Sequence, residues 1–593
     1  MSSSGPRLPY MPGLDGLRAF AVGGVLLYHA GVSWMPGGFL GVDLFFVLSG
    51  YLITSLLLTE YARAGRIDRK RFWLGRARRL LPAAVLVIVV CLIIVALFLP
   101  SQLADARADA LSSLFYVNNW HQVFADRSYF ATFGRPSLFQ HLWSLAVEEQ
   151  FYLIWPLILT FMLTRLSRGK IVAITAAGLV LSAVLMAAIY DPHGDASRVY
   201  YGTDTRAAPL LAGALLAFAW PPQRFTGAPG RGAAVVLDVL GAIGVGVLIL
   251  AMVTWHDYDQ WLFRGGFLVA ELATVLLIAA LVHPAAHIGR VFGVAPMRWI
   301  GQRSYGIYLW HWPVMALSRP GVDLHVNRTL IIVGQIALTI GLAALSYTYL
   351  EMPVRRGDMR RRIGAVLSRW RPRQRLAVVV GTAAAVIFLV GFAFGRPVGH
   401  VASSEASRPL ATKAATEGPA AGPGTATTPV EHAKRKRALP RGLLAVGASV
   451  MLAAQPALQE RFGPKARIDA AVGRQATDIL GRLEAYRREG TLPETVVVQM
   501  GENGPIWSAD VERLKAALKG VKRVVLVNVR VPRSWQAQVN ATLDEAVKHW
   551  PQARVANWYG ASGDAALLYD QAHPDPAGQV VYARVVTKAL RAE

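Results

Sequence analysis

Ser449 closes the run Leu443-Leu444-Ala445-Val446-Gly447-Ala448-Ser449, a strand entering a tight turn where a hydroxyl can be displayed as a nucleophile. Near the C-terminus, Asp570-Gln571-Ala572-His573-Pro574 carries an acid three residues before a histidine. An ester-cleaving or ester-forming site needs a nucleophile, a base, a group that orients the base, and donors for the oxyanion. Ser449 can be the nucleophile, His573 the base, and Asp570 the carboxylate that holds the imidazole. The backbone N–H groups of Ser449 and Gly473, with the Asn503 side chain, can supply the oxyanion hole.

A second set lies far upstream, in apolar sequence. Arg18 and His29 are eleven residues apart, about three helical turns and roughly 16 Å along one face. Asp43 opens an apolar run. Ser144, Glu148 and Tyr152 are spaced by four, and Ser304, Tyr308 and His311 also share a helical face. Ionisable groups at membrane depth are costly and mark functional sites by default. His29, Asp43, Glu148 and His311 are expected at matching depth, around a polar pocket. Arg76 and Arg79 suit the phosphates of an anionic donor.

The elements that position these groups follow from composition. Of 593 residues, 54% are hydrophobic and only 17% charged, which points to lipid rather than to a soluble interior. A net charge of +25 would otherwise suggest nucleic acid. The basic residues, however, fall in short clusters between apolar segments, so no nucleic-acid partner is expected. Cys91 is the single cysteine, which excludes an intrachain disulfide. Segments near 15–34, 39–58, 82–99, 142–163, 171–190, 207–220, 234–254, 264–282, 302–318, 329–350 and 376–395 are apolar enough to predict about eleven transmembrane helices. The first carries Arg18 and His29 and reads as a retained helix, not a cleaved leader. Arginine clusters at 63–79, 165–170, 290–303 and 355–375 fall on even-numbered connections, which places them and the N-terminus in the cytoplasm and the C-terminal part outside. Residues 397–439 read as a flexible extracytoplasmic linker ending in the basic run Lys434–Arg437. From 440 to 593, β-rich runs alternate with helical stretches, predicting a soluble three-layer α/β domain with a mainly parallel sheet.

Several short blocks in order carry a family resemblance. They are Arg18 with His29, Gly41–Gly50, Arg76-x-x-Arg79, Trp143–Tyr152, Gly301-x-x-Ser304-Tyr305-x-x-Tyr308-x-x-His311, and Glu351-x-Pro353. Over residues 10–355 the chain resembles the acyltransferase-3 membrane O-acyltransferases, with an additional transmembrane helix at 376–396. The resemblance implies an acyl-CoA donor reached from the cytoplasm, a hydroxyl acceptor, an essential His29, and participation of Arg18, Arg76, Arg79 and Glu148. His29 would be a general base, with Glu148 orienting it or holding the acceptor, or it would carry the acyl group briefly. Residues 440–593 resemble the SGNH hydrolase and acyltransferase family through Ser449, Gly473, Asn503, Asp570 and His573. One departure stands out. The family's first block reads Gly-Asp-Ser, whereas this chain has Gly447-Ala448-Ser449, which removes the acid that normally braces the turn.

The fused arrangement resembles bacterial cell-wall and surface-polysaccharide O-acetylases. It implies a multi-pass protein of the bacterial cell membrane that moves acetyl from acetyl-CoA to a glycan hydroxyl, on peptidoglycan or another surface polysaccharide, with no metal and no permanently bound cofactor. Other readings are a C-terminal domain that only binds glycan or only hydrolyses esters, and a transporter with an accessory domain. The sequence leaves the oligomeric state open.

Overall fold

A computed structural model describes residues 8–125, 127–129, 135–192, 194–222, 231–324, 326–358 and 442–591. The expected helix at 376–396, the linker at 397–439 and the basic run 434–437 lie outside the described residues.

The first part is a helical bundle. Its principal helices are α1 (Pro12–His29), α2 (Gly41–Ala64), α3 (Arg69–Phe98), α4 (Leu142–Arg165), α5 (Arg168–Ile189), α6 (Ala207–Ala219), α7 (Arg231–Thr254), α8 (Phe267–Val282), α9 (Ala295–Leu317) and α10 (Arg328–Ser346). Each matches one of the first ten segments expected from hydropathy. Among the described residues, seven helices are long and apolar enough to cross a membrane, so the count of eleven is not reproduced. The shortfall has a physical cause. α6 has only 13 residues, and α1 and α9 are diluted by Asp15 and Arg18 and by Gln302, Arg303, Ser304 and His311. α1 packs against α2 and α9, and most of its residues are buried by protein.

Gly301 decides how closely α9 approaches α1. A Cβ there would stand 1.8 Å from the Asp15 carbonyl oxygen, so any larger side chain would push the helices apart. Ten residues on, α9 carries His311 to the level of His29 at the end of α1.

The second part is a doubly wound α/β domain. Five parallel strands, β1 (Leu443–Gly447), β2 (Ala466–Ala470), β3 (Thr495–Val498), β4 (Arg523–Val527) and β5 (Ala553–Ala556), lie in the order β2-β1-β3-β4-β5. Helices α11 (Ser449–Ala453), α12 (Gln455–Phe462), α13 (Ala476–Arg488), α14 (Ser508–Ala517), α15 (Gln536–Lys548) and α16 (Pro576–Arg591) cover it. β1 and β3 are buried at every position, as the continuous apolar runs require of a parallel sheet covered on both faces. The chain leaves β1 in one direction to β2 and returns past it to β3. That reversal opens a crevice at the carboxyl ends of the strands, the place where such sheets bind ligands.

Candidate active sites

Ser449 lies two residues past the end of β1 at that crevice edge, at the start of α11. Its Oγ lies 2.8 Å from His573 Nε2. On the far side of the ring, Nδ1 lies 2.8 and 2.7 Å from the two Asp570 oxygens. Asp570 Oδ1 also accepts the backbone N–H groups of Ala572 and His573, at 3.2 and 2.9 Å. Burial pushes the Asp570 carboxyl upward, but these bonds and the adjacent imidazole outweigh it and hold the group below its ordinary value. The carboxylate is therefore charged at neutral pH, and it keeps the Nδ1 proton so that Nε2 can accept from Ser449. Asn503, on the loop after β3, donates to the Arg474 carbonyl at 3.0 Å, beside Gly473. An amide has two N–H groups, so one bond fixes Asn503 while a second N–H stays available. The five sequence-predicted residues of this domain thus converge at the carboxyl edge of one sheet.

The bundle holds two polar centres rather than one. A cavity of about 740 Å³ is walled by Arg18, Ser49, Arg76, Arg79, Glu148 and Tyr152, among others. Glu148 accepts hydrogen bonds from Ser49 and Tyr152, and the Arg76 guanidinium stacks 4.8 Å over the Tyr152 ring. Three guanidinium groups around one cavity match a polyphosphate-bearing donor.

The second centre surrounds His29. Its Nδ1 lies 3.0 Å from His311 Nε2, and its Nε2 lies 3.3 Å from the Tyr129 hydroxyl. Ser144 and Tyr308, which both line the cavity, are 2.6 Å apart through their hydroxyls. The Tyr308 carbonyl bonds His311 Nδ1 at 2.5 Å, so polar groups run from the cavity to His29.

This arrangement corrects the expected pocket. His29 and His311 do meet, but Glu148 bonds Ser49 and Tyr152, because Glu148 and Tyr152 turn toward Ser49 of α2 while Ser144 turns toward Tyr308 of α9. Asp43 is not in the pocket either. It forms an ion pair with Arg206 at 2.8 Å, both side chains essentially inaccessible. Breaking such a buried pair typically costs about 3–5 kcal/mol, a structural duty. Tyr129 and Arg206 escaped sequence reasoning. Tyr129 sits between apolar segments where no periodicity marks it. Arg206 immediately precedes a short apolar run and reads as an ordinary boundary residue.

The α/β domain rests on the His29 end of the bundle. Ser534 donates to Asp257 Oδ1 at 3.1 Å, while Tyr28, next to His29, donates to Asp257 Oδ2 at 2.7 Å. Burial raises the Asp257 carboxyl, against the Tyr28 bond and the charge of nearby Arg533. Gln571, between Asp570 and His573, donates to the Pro320 carbonyl of the bundle. The acid–base loop of the Ser449 site is thus itself in contact with the membrane part.

A family profile described as an acyltransferase domain matches residues 11–348. The peptidoglycan O-acetyltransferase OatA of Listeria monocytogenes is 36% identical over 616 residues, covering 98% of each chain. The putative peptidoglycan O-acetyltransferase YrhL of Bacillus subtilis is 35% identical over 628 residues, again covering 98% of each. The O-acetyltransferase OatA of Staphylococcus aureus is 34% identical over 588 residues, 98% of this chain and 96% of that one. The chain belongs to the OatA family of O-acetyltransferases. As an OatA-family protein it is a bacterial membrane acyltransferase, with a helical membrane domain fused to an SGNH-type domain. In the solved C-terminal catalytic domain of Streptococcus pneumoniae OatA with a methylsulfonyl adduct, 92% of that chain aligns with 25% of this one, at 25% identity and a TM-score of 0.24. Among the described residues, no group of three His, Cys, Asp or Glu side chains is placed to hold a metal.

Proposed function

We propose that the protein takes acetyl from acetyl-CoA on the cytoplasmic side and delivers it to hydroxyls of peptidoglycan outside, muramyl residues first. In this reading residues 10–355 form the acyl-transfer domain, 376–396 an additional span, 397–439 a linker, and 440–593 the domain that completes transfer. The N-terminus is cytoplasmic and the C-terminal domain extracytoplasmic. The names of the relatives support the acceptor, and the arginine-lined cavity supports the donor.

Arg18, Arg76 and Arg79 hold the donor phosphates, with Glu148 fixed by Ser49 and Tyr152 among them. His29 Nε2 takes the proton from a hydroxyl at the position of the Tyr129 oxygen. That oxygen attacks the thioester carbonyl, and the C–S bond breaks. His29 returns the proton to the leaving thiolate. With one ring nitrogen on His311 and the other facing a hydroxyl, His29 is better placed as base than as acyl carrier.

In the second stage, His573 takes the Ser449 proton as Oγ attacks the incoming acyl carbonyl, directly or through a carrier; the bond to the donor's leaving group breaks, and His573 gives that group the proton and becomes neutral again. Backbone N–H groups of Ser449 and Gly473 and the Asn503 amide stabilise the oxyanion. His573 then removes a proton from the sugar hydroxyl, which takes the acetyl group and frees Ser449. The observation that carries this reading is the continuous Ser449–His573–Asp570 hydrogen-bond chain.

The test supplies labelled acetyl-CoA to inverted vesicles enclosing peptidoglycan fragments. Labelled, alkali-releasable ester on the glycan is the expected result. Free labelled acetate alone would identify a hydrolase, and no consumption of the donor would end the reading.

A further inference from the structure

The turn that presents Ser449 lacks a local brace. Ala448 occupies the N-cap of α11, with φ −105° and ψ −148°, and has no side-chain acceptor for the N–H groups of the first turn. Capping by Ser, Thr, Asp or Asn normally satisfies one of those donors, and alanine in their place typically costs ~1 kcal/mol. A turn holding a nucleophile to within hydrogen-bonding distance of His573 needs that acceptor from elsewhere.

Glu502 stands at the right place to supply it. It lies on the loop after β3, is 3% exposed, and both of its carboxyl oxygens are buried without a regular hydrogen bond. The Val450 N–H, one residue past Ser449, acts on this carboxyl and favours its charged form, while burial raises the group to about 8. A buried carboxyl so sparsely bonded is costly to keep and calls for a reason. The loop that carries it is pinned. Gly501 has φ +97°, a Cβ there would lie 2.5 Å from Val539 Cγ1, and its carbonyl accepts from Trp535 Nε1 at 3.1 Å. The next residue, Asn503, is the side-chain oxyanion donor proposed above, so one short loop reaches both sides of the reacting centre.

We propose that Glu502 is a positioning residue for the nucleophile: its carboxyl replaces, from the β3 loop, the cap that Ala448 cannot provide, and holds the Ser449 turn in register with Asn503. This rests on Ser449 being the acyl-accepting serine. Protonated or ionised, the carboxyl keeps an oxygen able to accept from Val450, so an isosteric amide can serve in its place.

The experiment follows modification of Ser449 by phenylmethanesulfonyl fluoride in the full-length protein in detergent, which requires neither donor nor glycan. Melting midpoints are recorded for every variant. Glu502→Ala should slow labelling about tenfold, the scale of a lost cap, whereas Glu502→Gln should stay within about threefold. Ala448→Asp combined with Glu502→Ala restores a cap in the space vacated, and should return labelling to within about threefold of the parent. A general loss of stability would not be repaired in this position-specific way. Labelling of a folded Glu502→Ala at the parental rate would overturn the inference, as would slow labelling that Ala448→Asp leaves unrepaired. If Glu502→Ala does not fold, a folded double variant decides by the same threshold. If Ser449 in the parent resists labelling altogether, the catalytic reading of the domain falls, and the inference with it.

Discussion

Replacing Asp570 with asparagine alters the Ser449 site electronically while leaving its shape. In the parent, two carboxylate oxygens stand 2.8 and 2.7 Å from His573 Nδ1, and one also accepts two backbone N–H groups. Those backbone bonds require an oxygen at Oδ1, so the asparagine oxygen will take that position and its NH₂ will face the imidazole. An N–H facing Nδ1 favours the tautomer with the proton on Nε2, which donates toward Ser449 instead of accepting from it. Loss of the orienting carboxylate in serine triads lowers turnover by up to about 10⁴-fold. With a side chain 18% exposed, Asp570 is partly screened by water, so the expected fall is about 10³-fold, or roughly 4 kcal/mol of transition-state stabilisation. The assay is hydrolysis of p-nitrophenyl acetate by the full-length protein, alongside a thermal melt to confirm folding. A folded Asp570→Asn variant retaining more than about a tenth of parental turnover would refute the argument.

Two further outcomes follow. His29→Ala should lower acetyl-CoA-dependent glycan acetylation by at least about 100-fold while leaving p-nitrophenyl acetate hydrolysis at Ser449 intact; equal loss of both, or of neither, would contradict the division of labour. Glu502 has a folded-state value near 8 against about 4.3 when unfolded. The folded protein therefore binds the extra proton, and this group's stabilisation is full below pH ~4.3 and lost as pH rises through about 8. Melting midpoints of Glu502→Gln and parent should accordingly diverge between pH 5 and pH 9, with the parent falling further; parallel curves would rule out the raised value.

Much of the fold was legible because its signals are local. Ten hydropathy segments coincide with helices, and the strand-to-turn run ending at Ser449 forms β1 and the start of α11. The C-terminal site was legible for a related reason. Ser449, Gly473, Asn503 and the Asp570–His573 pair follow separate elements, and a doubly wound sheet brings the carboxyl ends of its strands to one edge. In the bundle that inference fails. Matching depth put Glu148 and Asp43 beside His29, but depth says nothing about azimuth, and Asp43 instead faces Arg206 while Glu148 faces Ser49.

The amino-acid sequence alone determined the order of the helical and α/β parts and the apolar segments, and it singled out Ser449, His573 and Asp570 as candidates, because periodicity and motif spacing are properties of contiguous chain. Only the tertiary structure decided that the arginine-lined cavity and the His29 centre are separate, that Tyr129 joins His29 and His311 there, and that Gly501 pins the loop carrying Glu502 and Asn503. These depend on contacts between distant segments. One of them is the approach of Gly301 to the Asp15 carbonyl, which aligns α9 with α1; another is the pinned Gly501 turn. Such contacts are set by how side chains of different elements fit against each other, and no spacing within one element encodes them.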